Sequence, residues 1–321
     1  RYLGKPINLG SPQQVSEAVY VQLKFPPPRH AAKAAKAGHG STTEETLQCL
    51  AQTTPECPFL GWVLEYRHID KLKGTFLEPL AACATAVPDG DGAGFEASGS
   101  YRVYSSWQLL ATGTGRVSSR SPNVQQIPNK PIMLSAGAGG EAAQRVCVRS
   151  AFVADAGFVL LAADYKQLEF RLLAALSADS ALAGALTSGG DFFVLIAATW
   201  LRKRPADVSA EERSRTKALA YAICYGLGVD RLGTTLLVSH QKAREMRDHF
   251  LGAFRQLTAY MGSLRVTARR DGFVTTLGGR RRNLEHISST AAADRAKAER
   301  QAVNSVIQGS AADVVKAAMA S

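Results

Sequence analysis

Two cations and two aromatic rings recur at every fourth position of one segment, with a spacing that could bind a nucleotide. The segment SAEERSRTKALAYAICYG, residues 209–226, carries them as Arg213, Lys217, Tyr221 and Tyr225. On a helix each step of four residues turns by about 40°, so the side chains would form one slanted stripe about 18 Å long. The cations could hold a triphosphate while the rings face a sugar and a base. A helix with a solvated basic end and two core tyrosines has the same spacing.

Local signals place this stripe on a helix. Ser209 and Glu212 have the spacing of a capping box, which satisfies free backbone donors at a helix start. Neither Gly nor Pro interrupts the next thirteen residues, and Gly226 supplies a stop. The segment therefore predicts a helix of about four turns.

A carboxylate stands at a second predicted junction. Residues 158–163 form a continuous apolar run that ends at Asp164, which predicts a short buried strand. The residues from Gln167 to position 176 then follow a helical period. A strand feeding a helix would place Asp164 at the exposed carboxyl end of the strand.

Two further polar sets could contact a nucleic acid. Arg300, Asn304 and Gln308 are again four residues apart on a predicted helix. Their amides could bind the minor-groove acceptors that every base pair shows, and one buried hydrogen-bond network would fit equally. The segment TGTGRVSSRSPNVQQIPNK, residues 112–130, is almost free of apolar residues. That composition is typical of a loop or of a surface that contacts backbone and groove.

Composition narrows the class of protein. The 321 residues carry a formal net charge of +11, which favours a polyanionic partner but also fits a basic soluble surface. No apolar run reaches the length of about 18 residues that a membrane span needs. The five cysteines are scattered without CxxC spacing, which argues for a reducing compartment and against a zinc or disulfide framework. Residues 26–41, 87–99 and 135–143 are predicted surface loops, the first of them basic.

The order of these motifs resembles that of family A DNA polymerases over nearly the whole chain. DYKQLEFR at 164–171 is similar to the first palm motif, and RSRTKALAYAICYG at 213–226 to the fingers helix. TGTGRVSSRSPNVQQIP resembles the primer and template contact segment, and LEYRHIDKLKGTFLEPL at 64–80 resembles the thumb helix with its exit. AERQAVNSVIQGSAADVVKAAM at 298–319 resembles the helix pair that returns to the palm.

The resemblance implies an α+β, right-hand polymerase fold with an antiparallel palm sheet and mostly helical thumb and fingers. The implied divisions are a thumb region at 1–103, palm at 104–175, fingers at 176–290 and a return to the palm at 291–321. In the family a second catalytic carboxylate lies in a His-Asp-Glu hairpin that comes later in the chain. We therefore expect an incomplete palm, and DNA binding without polymerisation from these residues alone.

The resemblance also assigns roles. Asp164 and the Tyr165 carbonyl would bind two Mg²⁺ ions, for which Mn²⁺ can substitute. Lys217 would protonate the pyrophosphate leaving group. The remaining implied residues fall into two sets. Those that bind the nucleotide are Arg213, Lys217, Tyr221, Tyr225, Gln167 and Glu169, the last excluding the ribose 2′-hydroxyl. Those that bind DNA are Arg67, Lys71, Lys73, Arg116, Asn123, Gln125, Arg300, Asn304 and Gln308.

Several residues depart from the family pattern. Lys166 replaces a small residue, Phe193 replaces a His that often helps to bind the triphosphate, and Ala222 replaces a Gly. Tyr221 with Ala222 resembles the eukaryotic theta and nu branch, which implies a nuclear repair or replication enzyme. An organellar replicase is an alternative.

Two other classes share some of these features. Single-subunit phage-type RNA polymerases share the palm Asp and the fingers Arg, Lys and Tyr, but Glu169 argues against them because RNA enzymes need room for the 2′-hydroxyl. A non-catalytic nucleic-acid-binding module would keep the motifs only as a DNA grip. The expected partners are primer-template DNA and deoxynucleoside triphosphates, without a membrane.

Overall fold

The computed structural model of the chain describes residues 3–4, 6–26, 40–86, 101–129, 131–134 and 144–321. The chain forms two compact units. The first contains residues 1–107 and 119–160, and the second contains residues 108–118 and 161–321. The predicted palm, 104–175, contributes to both units, and the four subdomain boundaries stay predictions. The three predicted loops lie wholly or mostly outside the described residues.

The first unit is built around short helices. They are α1 (Pro12–Ser16), α2 (Glu44–Thr53), α3 (Pro58–Leu72) and α4 (Glu78–Ala82), with π-helical turns at Glu17–Gln22 and Lys73–Leu77. Thr43 begins α2, because its side chain accepts a hydrogen bond from the Thr46 backbone. Val15, Leu47 and Leu60 are fully buried where these helices meet. This packing leaves one face of α3 exposed.

Eight three-residue strands occur in the described ranges, paired as four two-stranded sheets. Their bounds are β1 (Ala84–Ala86), β2 (Tyr101–Val103), β3 (Ser106–Gln108), β4 (Ser118–Arg120), β5 (Ile132–Leu134), β6 (Gln144–Val146), β7 (Phe273–Thr275) and β8 (Arg281–Asn283). The pairs β1–β2, β5–β6 and β7–β8 are antiparallel. The combination of helices and small antiparallel sheets is α+β, as predicted.

The second unit is mainly helical. It contains α5 (Leu168–Ser177), α6 (Ser180–Thr187), α7 (Phe192–Leu201), α8 (Ala210–Cys224), α9 (Val229–Leu236), α10 (His240–Ala253), α11 (Arg255–Asp271) and α12 (Ala292–Ala320). A 3₁₀ turn occurs in this unit at Pro205–Asp207, and another occurs in the first unit at Val148–Ala151. The sequence of α7, FFVLIAATWL, is almost wholly apolar, so the helix is buried on most sides. It packs with α5, α8 and α10 into the largest core among the described residues.

The helices predicted over 167–176 and 209–226 are confirmed. The strand predicted over 158–163 is wrong: these residues form no strand, and Phe158 and Leu161 are 75% and 93% exposed. A strand needs a second strand to bond to its backbone, and no described strand pairs with these residues.

The helix pair predicted over 298–319 is also wrong, because α12 is one continuous helix of 29 residues. No Pro interrupts it. Gly309, which could have marked a break, lies instead at a close approach, where an added Cβ would come within 2.6 Å of Thr276 Cγ2. The glycine therefore serves packing of the helix rather than its termination.

A single buried carboxylate joins two helices of the second unit. Asp179 is fully buried and precedes α6, where its Oδ1 accepts a hydrogen bond of 3.0 Å from the Leu182 backbone. Its Oδ2 accepts a second bond of 3.1 Å from the backbone of Leu257, in the first turn of α11. Phe254, which begins α11, supplies no side-chain cap. Asp179 therefore caps both helices and fixes the start of α11 against α6.

Asp179→Ala is expected to lower the free energy of unfolding by about 3 kcal/mol or more, because each hydrogen bond to a charged acceptor contributes about 1.5–3 kcal/mol. Urea unfolding followed by circular dichroism measures the loss. Ser239→Ala is the matched control, because Ser239 caps only α10 and its removal should cost about 1 kcal/mol. Equal losses in the two variants would contradict the double-cap interpretation.

Candidate functional site

The predicted stripe lies along α8 and its C-terminal end. Ser209 and Glu212 form the predicted capping box, with Ser209 Oγ accepting from the Glu212 backbone at 3.1 Å. Lys217 is exposed, whereas Arg213, Tyr221 and Tyr225 are half-buried. The cations face solvent while the tyrosines pack against the core, as the second interpretation of the spacing describes. Nucleotide binding by the stripe stays a prediction.

The start of α7 contacts both cations of the stripe. Asp191, which begins α7, accepts two hydrogen bonds from Arg213, of 3.1 Å from Nε and 2.7 Å from Nη2. The Arg213 guanidinium lowers the pKa of the Asp191 carboxyl, and Asp191 in turn raises the pKa of Arg213. Lys217 Nζ lies 5.8 Å from the centre of the Phe193 ring, within the range of a cation–π contact.

Five aromatic rings from three helices support the stripe from behind. We call Phe170, Phe192, Phe193, Tyr221 and Tyr225 the aromatic cluster. Tyr221 lies 5.1 Å from Phe170 and 5.8 Å from Phe193, measured between ring centres. Tyr225 lies 5.8 Å from Tyr221. These separations are those of favourable tilted and edge-to-face pairs, so α5 and α7 together fix the face that α8 presents. Phe193 is therefore a packing residue of this cluster.

Glu169 connects the end of the stripe to a loop of the same unit. One of its carboxylate oxygens accepts a hydrogen bond of 2.9 Å from the Tyr225 hydroxyl, and the other accepts from Arg116. The Glu169 side chain is only 12% exposed. Burial, followed by the charge of Glu169, raises the pKa of Tyr225 to about 12. Three predicted site residues are thus joined in one hydrogen-bonded group.

Asp164 and its neighbours lie next to this group in the chain. Asp164 is exposed and Tyr165 is half-exposed. Gln167 adopts a left-handed backbone conformation with φ of 48° where α5 begins. Burial raises the pKa of Tyr221, and the charges of Glu169 and Asp164 add to the effect. The field of both carboxylates therefore reaches the stripe.

The oxygen atoms at Asp164 can be tested against the needs of a metal ion. No group of three or more His, Cys, Asp or Glu residues with metal-binding geometry occurs in the described part of the chain. Glu169 already bonds Arg116 and Tyr225. Asp164 and the Tyr165 carbonyl remain, and Mg²⁺ commonly binds to only one or two carboxylates together with substrate phosphates and water. These donors fit Mg²⁺ carried in with a triphosphate.

The row on α12 runs from solvent into the protein. Arg300 is exposed, Asn304 is half-buried and Gln308 is buried. Arg300 lies against Gly226, where an added Cβ would be 3.2 Å from its side chain and φ is +66°. The buried Oδ1 of Asn304 has no hydrogen-bond partner among the described residues. The row is therefore neither a fully satisfied internal network nor a fully exposed surface.

The remaining predicted DNA contacts lie in the first unit. Arg67 donates to the backbone carbonyls of Leu9 and Thr42, and burial lowers its pKa. Lys71 is exposed, and Lys73 pairs with Glu78 at 3.7 Å. Arg67 and Lys71 line a groove of about 980 Å³ together with residues 126 and 128–129. Arg67 thus serves the fold of this unit as well as the groove.

Asn123 and Gln125 lie in the loop that follows β4. Both are exposed, and both bond Ser119: Asn123 Oδ1 accepts from the hydroxyl at 3.2 Å and Gln125 Oε1 from the backbone at 3.0 Å. Their assignment to DNA stays a prediction. In the part of the chain that the structure describes, no helix is long and apolar enough to cross a membrane.

Sequence reasoning missed Asp191. Its position before an apolar helix signals an N-cap, and it does accept a bond of 3.0 Å from the Val194 backbone. Nothing in the spacing signals its contact with Arg213, because 22 residues separate the two. The Glu169–Tyr225 hydrogen bond spans 56 residues and could not be inferred from the spacing either.

Comparison with known proteins identifies the class. A family model described as DNA polymerase family A matches residues 1–321. The chain is 35% identical to DNA polymerase I of Mycobacterium bovis over 99% of its own length and 32% of that protein. It is also 35% identical to DNA polymerase theta of Drosophila melanogaster, over 98% of the chain and 14% of that protein. The chain belongs to family A of the DNA polymerases.

A solved structure gives the same result. The POL domain of Pol1 from M. smegmatis, in complex with DNA primer-template and dNTP, matches with a TM-score of 0.76 and 32% identity. The match covers 99% of this chain and 51% of that one. The predicted polymerase fold class is confirmed. The theta and nu branch stays a prediction, because the identities to DNA polymerase I and to theta are the same 35%.

The raised pKa of Tyr225 predicts a loss of stability in alkali. An unfolded tyrosine titrates near pH 10, so between about pH 10 and about pH 12 the folded chain keeps a proton that the unfolded chain releases. Stability must therefore fall as pH rises through this window. Tyr225→Phe should show a smaller fall in the free energy of unfolding than the wild type, measured by urea unfolding at a series of pH values. An identical slope in both proteins would contradict the raised pKa.

Proposed function

We propose that the protein containing this chain is a template-directed DNA polymerase that adds deoxynucleotides to a primer 3′ end, with a role in DNA repair. The observation that carries this proposal is that neighbouring helices hold the stripe in place. All four of its residues contact α5 or the start of α7, and its cations remain toward solvent. Such a preorganised basic and aromatic face suits a nucleoside triphosphate.

The comparisons support the same activity. The chain spans about a third of the length of the DNA polymerase I relatives and about half of the solved neighbour. That neighbour was solved with primer-template DNA and dNTP, the partners proposed for this protein. We further propose the nucleus as its location, in keeping with the theta-like pair Tyr221 and Ala222.

The nucleotide would lie along α8. Arg213 and Lys217 would bind its phosphates, and Lys217 would donate a proton to the pyrophosphate that leaves. Tyr221 and Tyr225 would face the sugar and the base. Glu169, held by Arg116 and Tyr225, would occupy the space that a ribose 2′-hydroxyl needs.

Asp164 and the Tyr165 carbonyl would hold Mg²⁺, or Mn²⁺ in its place. When bound, the ion neutralises developing charge on the phosphate oxygens. Arg213 and Lys217 would bind the phosphates that carry the ion, while the charge of Asp164 reaches Tyr221 on the same helix.

Each unit contains residues that would contact DNA. Exposed Lys71 in the first unit would bind backbone phosphates, while Arg300 and Asn304 of α12 would reach minor-groove acceptors. The net charge of +11 suits a polyanionic partner. The unpartnered Asn304 Oδ1 would require a donor, such as the amino group that guanine shows in the minor groove.

Asp164→Asn in the full-length protein should reduce nucleotide incorporation by about 100-fold or more, because metal stabilisation of phosphoryl transfer is worth several kcal/mol. Primer-template affinity, measured by fluorescence anisotropy, should change little. Asp230→Asn removes an exposed carboxylate of the same unit and should leave incorporation intact. Comparable activity in Asp164→Asn and the wild type would overturn the assignment of Asp164.

Glu169→Ala should increase the use of ribonucleotides relative to deoxynucleotides by about 10-fold or more, because space opens for the 2′-hydroxyl. Single-nucleotide extension with each substrate measures the ratio. Tyr225→Phe is the matched control: it removes the hydrogen bond to Glu169 but leaves the carboxylate in place. A Glu169→Ala protein that discriminates as well as the wild type would overturn the role of Glu169 in sugar selection.

A further inference from the structure

Arg213 is held by a carboxylate that none of the proposed roles uses. Asp191 Oδ2 accepts from Nη2 of Arg213 at 2.7 Å, and Oδ1 accepts from Nε at 3.1 Å. Both side chains are partly exposed, at 44% and 41%. An exposed pair of this kind adds little to stability, so stability alone is a weak reason for the contact.

The Asp191 carboxylate is itself fixed in place. Its Oδ1 also accepts from the Val194 backbone at 3.0 Å, which makes Asp191 the N-cap of α7. The next residues, Phe192 and Phe193, are buried in the aromatic cluster. A buried helix therefore determines where the carboxylate stands, and the carboxylate determines where the guanidinium stands.

Among the described residues, the remaining hydrogen-bond donors of Arg213 have no partner and could bind a ligand. A guanidinium carries five N–H groups, and Asp191 takes one on Nε and one on Nη2. Three donors remain, two of them on Nη1. A phosphate that approaches this edge would meet an arginine whose rotamer is already chosen, so less conformational freedom is lost on binding.

We propose that Asp191 is a positioning residue for triphosphate binding, which holds Arg213 with its Nη1 edge toward the ligand. This inference rests on the proposed function. Asp191 does not contact the nucleotide in this role, because its negative charge would repel phosphate. It acts through Arg213 alone.

Asp191→Ser tests the proposal, because serine can still cap α7 but is too short to grip Arg213 at both nitrogens. We expect the Kd for dNTP to rise about 3- to 10-fold, the range expected when one side chain is no longer held before binding. The measurement is dNTP binding by the full-length protein on a dideoxy-terminated primer-template. Asp191→Asn, which also caps well and keeps the shape of the side chain, is the second variant and should weaken binding in the same direction.

Two controls separate positioning from general damage. Asp207→Ser breaks a different two-point Asp–Arg pair of this unit, with Arg204, and should leave the Kd unchanged. In an Arg213→Lys background, Asp191→Ser should change the Kd by less than about twofold, because the partner of Asp191 is already lost. The rate at saturating dNTP should change less than the Kd.

Each outcome has a distinct meaning. An unchanged or tighter Kd in Asp191→Ser would overturn the positioning role, and so would a full effect in the Arg213→Lys background. A wild-type protein that binds no dNTP would overturn the proposed function itself. The inference would be supported by a higher Kd for dNTP in Asp191→Ser, together with little or no such increase in the Arg213→Lys background.

Discussion

Packing of aromatic rings between α5, α7 and α8 is the constraint on which the rest of the site depends. Phe170 lies within 6 Å of Phe192, Phe193 and Tyr221, so one ring of α5 contacts the other two helices. Because close-packed rings allow few alternative arrangements, α8 can present only one face to solvent. The polar contacts of Arg213 and Tyr225 lie at the two ends of this apolar seam and refine the orientation that it determines.

Features that depend on neighbours in sequence were predictable. The capping box at Ser209, the uninterrupted run that follows and the stop at Gly226 all act within one helix, and α8 has these bounds. The same holds for α5, because the helical period is evident from the sequence of the helix itself. The order of the motifs added the resemblance to a family, and the match to the family model confirms that family.

Features that depend on distant residues were not predictable from local patterns. The apolar run at 158–163 has the composition of a strand, but a strand also needs a partner, and composition does not report one. Glycine often ends a helix, but Gly309 instead allows close packing against Thr276. Asp191 signals a cap, whereas its second task depends on how α7 meets α8. In each case the missing information was tertiary.

Under the proposed function Glu169 would have two roles at once, and this would limit how the protein can evolve. Its carboxylate anchors Tyr225 and Arg116, while its bulk would decide which sugar is accepted. A mutation that relaxes sugar choice would therefore also release the end of α8 and leave an arginine without its counterion. If Glu169 has both roles, substrate range and the attachment of the helix could not change independently, and a change of specificity would need compensating substitutions at 116 or 225.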